Sequence, residues 1–156
     1  MKELLEYRAS LIDRLVKTTH EFRVACLAEN DIFASLHGGW HIHQIAMHTR
    51  DVDKLVYGLR ARRTITESNP EFPSFDGDAY MQEHYSSSEP LNKILDELVE
   101  SVEELAQVLR GLSSEAWSRE SRHATLGGGF TLQTWVERDL AHIEEHLRTI
   151  KRRKDL

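Results

Sequence analysis

The sequence predicts an all-α protein, an antiparallel four-helix bundle with one extra short helix and longer connectors. Two observations carry this prediction. Apolar residues recur at three-and-four spacing in four long stretches, and the prolines, most glycines and the serine clusters fall between those stretches. With 156 residues, 40% of them apolar, the chain is long enough to bury a core as a single domain over residues 1–156.

The first helix is predicted from Lys2 to about Leu27, because neither glycine nor proline interrupts its apolar period. Residues 30–39 should end it, since small polar residues and glycines favour turns. The second helix is predicted from about Trp40 to about Arg63, with Asp51 and Asp53 on its solvent side. Its inward stripe consists of Ile45, His48, Val52, Leu55, Val56 and Leu59.

A connector is predicted over residues 64–78, where two prolines and a glycine leave no room for a long helix or strand. Phe72 and Phe75 should anchor it to the body of the protein. A short helix is expected from Asp78 to about Tyr85.

The third long helix is predicted from Pro90 to about Arg110, because its leucines and valines step by three and four without error. Residues 86–88, three serines, offer an N-cap, and Pro90 suits the first turn. Gly111 should end this helix.

One further helical turn is predicted around Trp117, followed by an aperiodic segment over residues 118–130. Its three consecutive glycines, 127–129, predict a sharp turn or the tip of a bulged hairpin. Thr131 should cap the final helix, which extends to about Arg153.

Composition and charge exclude several classes of protein. A net charge of −6 argues against a nucleic-acid interface, which needs a basic face. No apolar run reaches the roughly 20 residues that span a bilayer, and the first residues carry acids where a signal peptide would carry bases. Cys26 is the only cysteine, so an intrachain disulfide is excluded. We therefore expect a cytoplasmic protein without membrane or nucleic-acid partners, in which Cys26 is a small packing residue.

Three histidines predict a metal site. His142 and His146 are four residues apart on the last helix, about one turn, so both imidazoles can lean toward one point. A helical wheel places them on one edge of the apolar arc, facing a neighbouring helix. The second helix has His48 on its own inward stripe. Three neutral imidazoles from two helices can hold a divalent metal and leave a coordination position open.

Each of these residues also has a structural interpretation. A histidine on an apolar stripe is usually a core residue whose ring nitrogens find protein partners. Asp139 and Trp135 share the edge of the last helix with the two histidines, and Asp51 follows His48 by one turn. Either aspartate could orient an imidazole ligand, or could be a surface carboxylate at the helix border. His84 and His123, in connectors, could be pocket residues or ordinary surface histidines, and the surface position is favoured.

Five segments resemble the DinB-like (DinB/YfiT-type) superfamily. They are residues 40–48, which contain the Trp-x7-His spacing, residues 69–73, residues 76–85, residues 109–117, and residues 129–132 leading into His142-xxx-His146. The resemblance implies a four-helix bundle with a divalent metal, most plausibly Zn or Ni, on His48, His142 and His146. It also implies a homodimer, because dimers are common in that superfamily.

One departure from the pattern concerns the start of the second helix. His41 stands where the superfamily tends to have serine, and Gln44 where it has an acidic residue. Gln44 can still complete a capping box, but His41 is expected to be a poor cap. His41 could instead line the mouth of the pocket.

The resemblance implies three functional hypotheses. Characterised relatives include S-transferases that use bacillithiol or mycothiol and a mycothiol-dependent isomerase, which favours a transferase with a low-molecular-weight thiol as co-substrate and a small-molecule substrate. A metal-bound water would instead make the protein a metal-dependent hydrolase. The third hypothesis is a non-enzymatic dimeric bundle, a binding or stress-response module.

Overall fold

A computed structural model describes residues 1–152, which form six α-helices and three short strands. The helices are α1 (Lys2–Leu27), α2 (Ile42–Val52), α3 (Gly58–Thr66), α4 (Gly77–His84), α5 (Leu91–Arg110) and α6 (Leu132–Arg152). The strands are β1 (Glu71–Phe72), β2 (Glu120–His123) and β3 (Gly127–Thr131). A 3-10 turn, Glu115–Ser118, precedes β2. The predicted end of the last helix at Arg153 lies outside the described residues.

Four long helices make the bundle, as the apolar pattern predicted. The helices α2 and α3 are continuous through a π-helical turn, Asp53–Tyr57, and together form the second long helix. Helix α1 packs against α5 and α6, and the second long helix packs against the same two. The first and second long helices are therefore diagonal neighbours. Helix α6 is flanked by both, and this arrangement positions the histidines.

The inward stripes of α5 and α6 agree with the helical wheels. In α6 the predicted apolar arc is buried throughout; it consists of Leu132, Val136, Leu140, Ile143, Leu147 and Ile150. Burying side chains of this size contributes roughly 1.5 to 3 kcal/mol each before the entropy of ordering is subtracted. Cys26 is also fully buried. Burial raises the pKa of its thiol, as expected for a packing residue rather than a nucleophile.

The structure overturns three predictions for the second helix. Leu55 was predicted to point inward but is 36% exposed, because the π-helical turn has one residue more than an α turn and shifts the helical phase. Asp51 and Asp53 were predicted on the solvent side but are 9% and 1% exposed. Asp53 begins the π-helical turn one helical turn after the fully buried Thr49, so it continues a buried face of α2. Gly58 ends this turn. A Cβ on Gly58 would lie 2.4 Å from the carbonyl oxygen of Asp53, so only glycine fits there without a shift of the backbone.

The start of α5 also differs from the prediction. Its N-cap residue is Pro90, which has extended backbone angles and makes no side-chain cap. The serines 86–88 lie in the preceding turn, where Ser86 and Ser88 bond each other through their hydroxyl groups. The structure confirms the cap on α6, since the backbone N–H of Thr134 donates to the Thr131 hydroxyl.

A small sheet closes one end of the bundle. Strand β1 pairs parallel with β2, and β2 pairs antiparallel with β3, with a bulge between Ser121 and His123. The predicted bulged hairpin is present, but the glycines 127–129 lie within β3 and not at its tip, which residues 124–126 form. The hairpin is tied to α6 by the indole N–H of Trp135, which donates to the hydroxyl of Ser121 at 2.7 Å.

Across residues 1–152, every helix is too short or too polar to cross a lipid bilayer.

Gly58→Ala should destabilise the protein by about 1 to 3 kcal/mol, the usual cost of forcing a methyl group into a packed site. The methyl group would collide with the Asp53 carbonyl and displace the π-helical turn. Chemical denaturation of the purified variant measures this loss. Gly111→Ala is the matched control, because its backbone φ is −91° and its nearest neighbour would be 3.6 Å away. Equal stability of the two variants would contradict the proposed need for glycine at Gly58.

Candidate metal centre

Helices α2 and α6 bring three imidazoles to one point. The Nε2 atom of His142 lies 3.1 Å from Nε2 of His48 and 3.0 Å from Nε2 of His146. One ligand atom from each ring can be chosen so that all three lie within 4.8 Å of one another. Nitrogen ligands of a tetrahedral zinc ion lie about 3.3 Å apart, because each Zn–N bond is about 2.0 to 2.1 Å. The spacing of the three nitrogens therefore matches a metal site.

The protein keeps these rings uncharged. Burial lowers the pKa of His142 to about 3, and repulsion from His146 and His48 adds to the effect. Burial lowers the pKa of His48 to about 4, with a further contribution from His146 that nearby acids partly offset. Burial also lowers the pKa of His146 to about 4. All three imidazoles are neutral near pH 7, which is the protonation state that binds a metal.

Hydrogen bonds alone do not give every ring nitrogen of the three histidines a partner. A neutral imidazole has one N–H donor and one acceptor nitrogen. His142 has Nε2 against two other imidazoles, while its buried Nδ1 has no partner among the described residues. Either tautomer of His142 therefore leaves a buried polar atom unmatched. A divalent cation would give the three Nε2 lone pairs a common partner, so the donor set fits such an ion.

His43 shows the contrast with an ordinary core histidine. It is buried one turn before the candidate ligand on α2, and both of its nitrogens have partners. Its Nδ1 bonds the hydroxyl of Tyr85 at 2.8 Å, and its Nε2 bonds the carbonyl of Glu89 at 2.7 Å. The structural interpretation thus describes His43 well and the three converging histidines poorly.

The walls of the site hold the His48 ring in place. The edge of Trp40 lies against it, with ring centroids 4.9 Å apart. On the other side, a Cβ on Gly77 would be 3.0 Å from Cε1 of His48, so glycine allows the chain to pass close to the ring. The Trp-x7-His spacing therefore has a physical basis, since Trp40, just before the N-cap of α2, packs against the histidine ring.

An open cavity of about 410 Å³ adjoins the three histidines. His48 and His142 form part of its wall, together with Val52, Val56 and Tyr57 of the second long helix. The ring of Tyr57 lies 5.8 Å from that of His142, centroid to centroid. The rest of the lining comes from other parts of the chain. It consists of Arg60 on α3, Ser74, Phe75 and Gly77 at the end of the connector, His123, Thr125 and Leu126 of the hairpin, and Arg138 on α6.

His41 and Gln44 form a capping box at the start of α2. The backbone N–H of Gln44 donates to Nδ1 of His41, and the backbone N–H of His41 donates to the Gln44 side chain. The expectation of a poor cap was wrong, because an imidazole nitrogen can accept the same hydrogen bond as a serine hydroxyl. The His41 ring contacts Phe33, His43 and Tyr85 instead of the metal cavity.

The predicted aspartates have different environments. Asp51 does not reach the three histidines, since its carboxylate accepts from Arg50, which also pairs with Glu89 and Glu97. Asp139 is buried one turn before His142, but neither of its oxygens has a hydrogen-bond donor among residues 1–152. A role for Asp139 in orienting an imidazole stays a prediction.

Sequence reasoning missed the partner of Asp139. Burial first, and the neighbouring Asp53 second, raise the pKa of Asp139 well above its usual value. The second oxygen of Asp53 accepts from the hydroxyl of Ser101 at 2.8 Å, and its first oxygen is buried without a donor. Burial beside a second carboxyl group favours the neutral, protonated form of Asp139. Asp53 lies on the buried face of α2 that includes Ala46 and Thr49, which the predicted apolar stripe left out.

Trp135 and the two remaining histidines complete the set. Trp135 is fully buried beneath the cavity and does not line it. His84 is exposed and stacks on Tyr80, as expected. His123 was expected at the surface but is 7% exposed and lines the cavity. The bulged hairpin folds over α6 and covers it, and helical periodicity could not predict this.

Comparison with known proteins identifies the family. The sequence matches the DinB superfamily over residues 11–150. The chain belongs to the DinB superfamily. The predicted four-helix bundle is also found in a solved structure, YfiT from Bacillus subtilis. That protein is described as "a probable metal-dependent hydrolase with an unusual four-helix bundle topology". The two superpose with a TM-score of 0.86 at 21% sequence identity, over 96% of this chain and 87% of YfiT. A search of curated proteins finds no match.

The depressed pKa values of the three histidines predict a pH dependence for the metal-free DinB-superfamily chain. Between about pH 6.5 and pH 4 the unfolded imidazoles bind protons that the folded ones do not, so the free energy of unfolding should fall as the pH falls through this window. Denaturation of wild type and His142→Gln at each pH isolates the effect. The stability advantage of the wild type over the variant should shrink as the pH falls. A constant difference would contradict the neutral state of His142.

The raised pKa of Asp139 predicts the opposite slope. Its contribution to stability is complete below the unfolded pKa, about 3.9, and is lost as the pH rises through the folded pKa. Asp139→Asn keeps the shape of the side chain and removes this loss. The stability of the variant relative to wild type should therefore increase as the pH rises. Denaturation between pH 4 and pH 9 measures the gain. Asp13→Asn, on the exposed face of α1, is the control. A difference in the free energy of unfolding between Asp139→Asn and wild type that does not change with pH would contradict the raised pKa of Asp139.

Proposed function

We propose that this chain is a divalent-metal-dependent enzyme that hydrolyses a small-molecule substrate, with the metal held by His48, His142 and His146. The convergence of three neutral imidazole nitrogens at the wall of an open cavity carries the proposal. A metal held by three protein ligands keeps a position for water, and metal-bound water is a nucleophile near neutral pH. The description of YfiT as a metal-dependent hydrolase on the same fold supports this choice of reaction.

The chain's own residues would organise the reaction around that site. The three imidazoles have low proton affinity, so they stay available as ligands across the neutral pH range. Trp40 and Gly77 enclose the His48 ring on two sides and fix its direction. Val52 and Val56 give the cavity an apolar wall next to His48, which limits the water that reaches it. The substrate would enter from the open side, between the connector and the β2–β3 turn.

Transfer of a low-molecular-weight thiol is the second candidate, and one observation favours it. A cavity of about 410 Å³ lies within the range of small-molecule sites, and a single hydrolytic water needs much less space. The same histidines could bind a thiol as thiolate and present it to an electrophile in this cavity. The thiol requirement of the reaction separates the two candidates, because hydrolysis proceeds without a thiol.

Purified wild type should carry about one divalent metal ion per chain, with Zn and Ni as the expected metals. His48→Ala, His142→Ala and His146→Ala should each lose most of that metal, because two imidazoles hold an ion far more weakly than three. Elemental analysis of the metal-to-protein ratio measures this. His84→Ala is the control, since His84 is exposed and stacks only on Tyr80.

The same variants test the reaction. A panel of small ester, amide and phosphoester substrates, each assayed with and without added thiols, should give a turnover that disappears with the metal. Turnover that requires a thiol would support the transferase and contradict the hydrolase. Wild-type protein that binds no metal, or retention of the metal in all three variants, would contradict the metal site. Bound metal without turnover on any substrate would favour the non-enzymatic binding module.

A further inference from the structure

The cavity beside the three histidines has a positively charged wall. Its lining includes Arg60, Arg138 and His123, and it includes no carboxylate among the described residues. The whole chain has 26 acidic residues against 20 Lys and Arg, so a concentration of positive charge here runs against the average of the surface. Charge of one sign in a cleft attracts ligands of the opposite sign.

Arg60 is the more unusual of the two arginines. Arg60 is 7% exposed, and no carboxylate of residues 1–152 lies within ion-pair distance of it. One guanidinium nitrogen donates to the carbonyl of Pro73 at 2.8 Å. The face of the guanidinium lies over Trp135, 4.9 Å from the ring centroid. A buried arginine is almost always paired with an anion. Arg60 therefore has both charge and N–H donors left for one.

Arg138 lines the same cavity from α6. It is exposed, unlike Arg60, but its guanidinium also lies over aromatic rings. Its guanidinium lies 5.3 Å from the centroid of the Phe130 ring and 5.8 Å from that of Trp135. These two rings stack on each other with their centroids 5.0 Å apart. Contact with ring faces orients a planar guanidinium and leaves its edge free to bond an oxyanion. Arg138 is also without a carboxylate partner in the described part of the chain.

Proximity to each other destabilises these charges in the absence of a ligand. Burial first, and the nearby Arg138 in addition, lower the pKa of the Arg60 guanidinium. Burial also lowers the pKa of His123, and both arginines lower it further. The backbone N–H groups of Thr125 and Leu126 donate to Nδ1 of His123, so the proton of this neutral ring is on Nε2. His123 therefore adds a neutral donor to the two cations.

The opposite end of the cavity has the opposite charge. Ser74, Phe75 and Gly77 continue into a neighbouring hollow that Asp76 and Asp78 line beside His48. Asp76 is occupied as the N-cap of α4, where it accepts from the backbone of Ala79. These acids lie on the His48 side, so they do not take the place of an anion at the arginines.

We propose that Arg60 and Arg138 bind an oxyanion group of the substrate, a carboxylate or a phosphate, and so direct the rest of that molecule toward the three histidines. This inference rests on the proposed function in one respect, the identity of the bound molecule as the substrate. The substrate class is then a small anionic compound whose reacting bond is separate from its charged group.

Calorimetric titration with succinate and with inorganic phosphate tests the proposal, on both metal-loaded and metal-free protein. Arg60→Gln and Arg138→Gln should each weaken the binding of at least one probe about tenfold or more, since a charge-assisted hydrogen bond is lost. Arg138→Lys should retain part of the affinity. Arg148→Gln is the matched control, because Arg148 is exposed on the same helix and lies outside the cavity. Succinamide, the neutral analogue of succinate, should not bind.

The outcomes separate this inference from the metal hypothesis. Arginine-dependent binding to metal-free protein supports the anion site whether or not the metal proposal holds. Binding that needs the metal and is unchanged in both Gln variants would identify the probe as a metal ligand and overturn the proposal. Equal weakening in Arg148→Gln would reduce the effect to net charge and would also overturn it. Thermal unfolding of each variant checks that it is folded. If a Gln variant does not fold, the binding affinity of Arg138→Lys decides the test in its place. The probe that binds more tightly, succinate or inorganic phosphate, indicates whether the site prefers a carboxylate or a phosphate.

Discussion

The burial of one face of α6 is the interaction on which the rest of this structure depends. Its apolar arc packs into the bundle between α1 and the second long helix, the two neighbours of α6, and this fixes the rotation of the helix about its own axis. Once that rotation is fixed, the edge that carries Asp139, His142 and His146 faces the second long helix. The three imidazoles then meet because the bundle has no other place for that edge. The site is a consequence of core packing, and its polar groups are located by apolar ones.

The second long helix accommodates polar groups at a cost in regularity. The π-helical turn, Asp53–Tyr57, begins at the buried Asp53 and leaves Leu55 exposed. Such turns concentrate at functional sites, where an added residue redirects side chains that an α-helix would place elsewhere. Here Val56 and Tyr57 reach the cavity wall, and the helix continues through Gly58 into the segment that carries Arg60. One local irregularity therefore links the buried carboxyl pair, the cavity wall and the cationic wall.

The hairpin and the connector contribute what the bundle lacks. Trp135 on α6 bonds Ser121 of the hairpin, and its ring contacts Phe72 of the connector and Phe130 of β3. This aromatic group supports both arginines from below. The long helices thus provide both the metal-binding candidates and the two arginines, while the hairpin and the connector enclose the cavity and support the arginine side chains. Reaction chemistry and ligand selection therefore both depend on the second long helix and α6.

The sequence by itself determined the four long helices, their inward stripes in α5 and α6, the fold class and the three converging histidines. Those features follow from local periodicity and from residue spacing along one helix, which a linear sequence records directly. Only the tertiary structure decided the π-helical turn, the burial of Asp53 and His123 and the placement of Asp51 away from the site. Each of these depends on contacts between segments distant in sequence, or on a phase shift that side-chain spacing does not reveal. Arg60 and Arg138 are 78 positions apart in the chain, and folding alone places them on one wall.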